Sequence, residues 1–145
     1  MHKKALKFTI LVGTFFSAIS AQATANPIFS CTAKNGKPIT VEKVGTNYIL
    51  SHQNLKIIND IEEIKKRYNT HISNPSGYIL FSLEFADEQN SYYVQYRELM
   101  GEDAIPLYAG VFKASGNADS KEYAVCNTEK PVIQNFDRQL NNYIY

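Results

Sequence analysis

The stretch "GYILFSLEFADEQNSYYVQYRE", residues 77–98, leaves the chain the least freedom. Ile79, Phe81, Leu83 and Phe85 alternate with Leu80, Ser82 and Glu84. Successive side chains of a strand point to opposite faces, so the pattern has one buried face and one mostly wet face. Asp87-Glu88-Gln89-Asn90 is a polar loop. Beyond it, Tyr92, Val94 and Tyr96 alternate with Tyr93, Gln95 and Arg97. Two amphipathic strands joined by a short loop predict an antiparallel hairpin.

The flanking sequence has the same character. "PIFSCTA" and "KPITVEKV" lie on either side of Lys34-Asn35-Gly36, and Asn-Gly tolerates the φ > 0 that a tight hairpin turn needs. Gly45-Thr46-Asn47 turns the chain into a third strand, "YILSHQ". "LYAGVFKA" and "KEYAVCN", joined by the turn-rich "SGNADS", read as further strands, and "LMGEDAIP" reads as an irregular loop. Two segments have a helical period instead. In "NDIEEIKKRYNTH", Ile61, Ile64 and Tyr68 share one face. Asn59 is the expected cap, with Glu62 at the third helical position, and the charges suit the helix dipole. In "PVIQNFDRQLNNYIY", Val132, Phe136 and Leu140 are spaced four apart behind Pro131, and Pro is tolerated in a first turn. The expected fold class is α+β. It has an antiparallel sheet or small barrel of about seven strands, one short internal helix, and a C-terminal helix docked by Tyr143 and Tyr145.

The chain opens with Lys3, Lys4 and Lys7, then an apolar run to about Ile19, then small residues ending in Ala23-Thr24-Ala25. That run is too short to span a bilayer and has the form of a secretory signal peptide, so residues 1–25 are read as a leader. A second cleavage point lies after Ala21-Gln22-Ala23. Residues 26–145 are then a single β-rich domain with no other membrane-spanning segment. An exported chain with two cysteines reads as one disulfide, Cys31 to Cys126. The competing readings, a reactive thiol or a pair of metal ligands, lack a supporting His or Cys nearby. The expected location is the periplasm or the secreted space.

Without the three leader lysines the chain carries 12 basic and 14 acidic residues and no basic block, which argues against nucleic acid as a partner. His52 and His71 have no zinc-motif spacing and no Cys/Asp cluster, so no metal is expected. His52 is placed on a strand and His71 at a helix end. No nucleophile elbow, Walker loop or dinucleotide fingerprint occurs, and no cofactor is expected. Glu102-Asp103 is an acidic pair on a loop, the one place where glycosidase-type carboxylates could sit, although their separation cannot be read from sequence. The expectation is that the protein is not an enzyme.

All ten tyrosines follow the leader, and tryptophan is absent. Alternation places Tyr93 opposite Tyr92 and Tyr96. Tyrosine offers a large contact area at low entropy cost and is enriched at recognition surfaces, although it is also an ordinary strand residue. Tyr93, Glu102, Asp103, Ser115 and Asn117 are the candidate binding residues, the last four forming a polar rim.

"FSCTAKNGKPITV", "SYYVQY" and "YAGVFKASGNADSKEYAVCN" together resemble a group of small exported proteins of Gram-negative bacteria. In these an F-x-C-T-x-x-N-G-K hairpin opens the domain and a strand ending in Cys closes it. The resemblance implies a periplasmic β-rich domain with one end-to-end disulfide, and it carries no activity. "KASGNADSKEY" is similar to the inhibitory loop of periplasmic c-type lysozyme inhibitors at Ala114, Ser115 and Gly116, with Lys113 where that loop has serine and Tyr123 later than its tyrosine. The expected function is a periplasmic non-catalytic binding module, an inhibitor or immunity-type protein acting on a cell-wall hydrolase. Its partner would be another envelope or secreted protein. The alternative is an envelope structural or accessory protein assembling through a strand edge or the C-terminal helix.

Overall fold

The computed structural model describes residues 26–136. The leader read over 1–25 and the end of the expected C-terminal helix, 137–145, lie outside the described residues. Ten strands form two antiparallel five-stranded sheets. The first has the order β10-β1-β2-β3-β4, from β1 (Asn26–Thr32), β2 (Pro38–Val44), β3 (Asn47–His52), β4 (Leu55–Asp60) and β10 (Ile133–Gln134). The second has the order β5-β6-β7-β8-β9, from β5 (His71–Ser73), β6 (Tyr78–Ala86), β7 (Asn90–Leu99), β8 (Pro106–Ser115) and β9 (Lys121–Val125). The single helix of the described residues, α1 (Ile61–Lys66), connects the two.

The expected α+β class with about seven strands and a C-terminal helix is therefore overturned: the protein is mostly β. The expected hairpins form. Phe81, Leu83, Phe85, Tyr92, Val94 and Tyr96 are buried, and the Asn35-Gly36 turn has Gly36 at φ +82°. Three strands were not foreseen. β4 follows a tight turn whose Gln53 takes φ +51° without a glycine to mark it. β5 is only three residues long and pairs with Leu80–Ser82 of β6. β10 takes the place where the C-terminal helix was expected to begin. Ser30 pairs with Ile133 and Phe29 with Gln134, which supplies the outer edge of β1 with a partner. A pairing that satisfies otherwise unpaired backbone groups outweighs helical spacing.

The internal helix is shorter than its periodicity predicts. Asp60, not Asn59, is the cap: its carboxylate accepts from the N–H groups of Glu62 at 2.9 Å and Glu63 at 3.3 Å. Ile61 and Ile64 are buried, but Tyr68 is 88 % exposed because the chain turns extended at Arg67. Anchors on β6 draw it out. Arg67 donates to the Glu84 carbonyl at 2.9 Å, and the Thr70 hydroxyl accepts from the Glu84 N–H at 2.9 Å.

The inner faces of both sheets share one core. Phe136, just past β10, lies between Phe29 of β1 and Phe81 of β6, at 5.7 and 5.9 Å between ring centroids. The sheets are also joined at both sides into a barrel-like ring. On one side Cys31 and Cys126 form a disulfide, Ala33 bridges Cys126, Lys34 donates to the Val125 carbonyl, and Asn127 donates to the Thr32 carbonyl, both at 2.8 Å. On the other side a side chain stands in for a strand. Asn59 at the end of β4 donates through Nδ2 to the Ala86 carbonyl at 3.0 Å and accepts at Oδ1 from the Ala86 N–H at 2.8 Å, while Arg67 also donates to Asn59 Oδ1 at 2.8 Å.

Asn59→Ala removes those three cross-element bonds. It is expected to lower unfolding free energy by about 3 kcal/mol, at about 1 kcal/mol per bond. Asn59→Asp keeps the acceptor and is expected to lose less. Urea melts of both variants check this, and equal losses would mean that the acceptor kept by Asp contributes nothing.

Candidate functional site

Alternation along the second sheet sends one set of side chains away from the core. Cross-strand register aligns them in rows: His71 with Ser82, Ser82 with Gln95, and Gln95 with Gly110 form one row; Glu84 with Tyr93 and Tyr93 with Phe112 form the next. A cleft of about 290 Å³ opens on this outer face, lined by Asn69, His71, Ser82, Tyr93, Gln95, Asp119 and Ser120 among others. Strands β5, β6 and β7 supply the floor, the turn before β5 supplies Asn69, and the β8–β9 connection supplies the wall.

The floor holds polar atoms without partners. Ser82 is 1 % exposed, and its Oγ makes no hydrogen bond; neither does the buried Nδ1 of His71. Buried polar groups in folded proteins are nearly always paired, so two orphans in one cleft mark it as unusual. The neighbours are already committed. Asn69 donates from its backbone at 3.2 Å and its side chain at 3.0 Å to the Glu84 carboxylate, which holds it against β6. Gln95 accepts from Arg97 at 3.5 Å through Oε1.

Beyond Gln95 the face becomes aromatic. The Arg97 guanidinium lies over the rings of Tyr78 and Tyr108, at 5.9 and 5.5 Å from their centroids, and Tyr108 packs on Phe112 at 5.5 Å. Burial first, and then Glu122, push the Tyr108 phenol up to about 12, with Arg97 opposing. Gly110 makes room for that ring: a Cβ there would meet the Tyr108 hydroxyl at 2.7 Å and the Ala124 carbonyl at 2.6 Å.

Three of the five candidate binding residues lie near this cleft. Tyr93 lines it, and Ser115 and Asn117 belong to the turn that leads into its wall. The Ser115 hydroxyl is engaged, donating to Asn90 Oδ1 at 2.6 Å across the β7–β8 ladder. Glu102 and Asp103 are not brought to the site. They lie exposed on the loop at the far end of the β7–β8 hairpin, beyond Leu99, roughly 20 Å along the strand from Tyr93 at strand rise. His52 lies on a strand, as expected: it is buried at the end of β3 with Nδ1 2.9 Å from the Pro38 carbonyl. His71, expected at a helix end, instead opens β5.

Sequence reasoning missed Asn69, His71, Ser82, Gln95 and Asp119. Part of the signal was present, because Ser82 and Gln95 share the alternating face of Tyr93. The short strand that brings His71 opposite Ser82 had no pattern to betray it.

Ser82, His71 and Asp119 are the residue types of a nucleophilic triad. Such a triad rests on a hydrogen bond of about 2.6–3.2 Å from hydroxyl to imidazole. Ser82 Oγ makes no such bond in this structure. Among the described residues no group of three or more His, Cys, Asp or Glu could hold a metal ion, and no helix is long and apolar enough to cross a membrane. No protein family, curated protein or solved structure matches the chain.

Proposed function

We propose that the protein is an exported, non-catalytic binding module of the periplasm or secreted space, an inhibitor or immunity-type protein acting on a cell-wall hydrolase. Its contact face is the outer face of the second sheet. The observation that carries this reading is the juxtaposition, on that face, of Tyr93 and Phe112 with a cleft whose buried polar floor is unpartnered. Aromatic side chains are enriched in protein contacts and among their hot spots. The disulfide Cys31–Cys126 suits an oxidising compartment. The resemblance to small exported proteins bears on the compartment alone, and the loop similar to that of lysozyme inhibitors bears on the inhibitor role.

Tagged, disulfide-intact protein incubated with envelope extracts and competitor supernatants is expected to retain a wall hydrolase. Tyr93→Ala is expected to weaken that retention at least tenfold, the scale of a contact hot spot. The Glu102→Ala, Asp103→Ala pair, at the far end of the hairpin, is expected to change nothing. Loss of retention only in the acidic pair would move the contact surface to the other end. Labelling of Ser82 by a serine-directed phosphonate would replace the binding reading with a hydrolytic one.

The alternative, assembly through a strand edge, finds little edge to use. Of the four outermost strands, β5 has three residues and β10 two, β4 faces β6 through Asn59, and the five-residue β9 is bridged at its Val125 end by Lys34. Short edges are a common defence against edge-to-edge pairing. A concentration-independent monomer mass by light scattering is the expected result.

A further inference from the structure

We infer that the cleft of the second sheet binds a neutral pyranose ring, which names the ligand chemistry of the face already assigned to binding and rests on that assignment. The argument starts from charge. Among the lining residues Asp119 is the single acid, and neither Lys nor Arg contributes. A phosphate or carboxylate ligand would meet a carboxylate with no cation to offset it. A cation would find one carboxylate there, since that of Glu84 is held by Asn69.

Size and hydrogen-bonding capacity narrow the class further. At about 290 Å³ the cleft lies at the small end of ligand sites, which run to about 1,000 Å³. Most such sites are lined by apolar side chains, whereas this one is dominated by hydroxyl, amide and imidazole groups. A sugar hydroxyl both donates and accepts. It can satisfy Ser82 Oγ in either role and His71 Nδ1 in either tautomer, and of the four buried side-chain atoms left unpartnered among the described residues these are the two that line the cleft. Asn69, whose Nδ2 already donates once to Glu84, and Gln95, whose Oε1 already accepts from Arg97, each keep further amide donor and acceptor capacity. The half-buried Tyr93 ring supplies a flat apolar wall, which the C–H face of a pyranose can cover.

The test is an amide-resolved NMR titration of the disulfide-intact protein with three probes: chitotriose, cellotriose and inorganic phosphate. Saccharide is expected to shift the amides of Ser82, Tyr93 and Gln95, and phosphate to shift none of them. Gln95→Leu, which keeps the shape, is expected to weaken saccharide binding about tenfold. Asn69→Ala provides a second, independent variant. Shifts with chitotriose alone would assign an acetamido sugar, and shifts with both saccharides a bare pyranose. The inference is overturned if neither saccharide shifts the cleft amides at about 10 mM, a limit on millimolar binding. It is also overturned if shifts persist unchanged in both variants. If sugar fails while Tyr93-dependent capture of a protein survives, the inference falls alone. If sugar binds and no protein is captured, the inhibitor reading falls and the cleft assignment stands.

Discussion

Replacing both cysteines, Cys31→Ala with Cys126→Ala, is expected to lower the unfolding free energy by about 4–5 kcal/mol, the chain-entropy value for a loop of this length. The crosslink spans 95 residues, nearly the whole described chain, so it removes much of the freedom of the unfolded ensemble. A small domain has about 5–15 kcal/mol in total, and the reduced protein should stand close to its folding threshold at 37 °C. A second signature separates this mechanism from a simple loss of contacts. The uncrosslinked unfolded chain exposes more surface, so the urea m-value should rise while the native spectrum is unchanged. Melts of the double variant, and of wild type with and without reductant, provide the check. A loss under about 2 kcal/mol, below the usual range for a native disulfide, would show that the neighbouring backbone bridges close that side unaided.

The second large effect is at Phe136. Its side chain is 0 % exposed, and it is stacked on one ring from each sheet. Phe136→Ala removes the piece that joins Phe29 to Phe81 and is expected to cost about 4 kcal/mol, within the usual span for a buried Phe truncation. Phe136→Leu keeps most of the volume and should cost about 1–1.5 kcal/mol. Thermal and urea unfolding of the pair measures both. A loss below about 1 kcal/mol for the alanine variant would mean that the two sheets pack adequately without that ring.

Phe136 also shows why some of the fold was legible and some was not. Its burial could be read from sequence, as one of a set of apolar residues spaced four apart. The element leading to it could not. Helical spacing and a two-residue strand followed by a docked ring both place Val132 and Phe136 inward, and the choice was made by β1, which needed a partner at Phe29 and Ser30. Residues 59–71 follow the same logic. Ile61 and Ile64 do share a helical face, but Arg67 and Thr70 find bonds on β6 that end the helix before Tyr68 can join it. Where one segment contained its own partner, as in 78–97, local alternation was enough.

The site divides in the same way. Tyr93 was legible because strand alternation is a local rule. The grouping of Tyr93 with Glu102 and Asp103 failed because distance in space along a hairpin is set by which end of the strand a residue occupies. The cleft itself depends on β5, three residues whose place was fixed by β6.

The two joins of the ring are unequal, and this gives the molecule a direction of breathing. One join is covalent, and the other is held by hydrogen bonds alone, from Asn59, Arg67 and Thr70 to β6. Thermal opening should therefore hinge about Cys31–Cys126 and part between β4 and β6. Arg67 grips both Asn59 and the Glu84 carbonyl, while the Glu84 carboxylate holds Asn69 at the rim of the cleft. The mobile join and the ligand cleft thus share one chain of hydrogen bonds. Any occupant that fixes Asn69 tightens the join from a distance, and amide hydrogen exchange at Ala86 would slow when the cleft is filled.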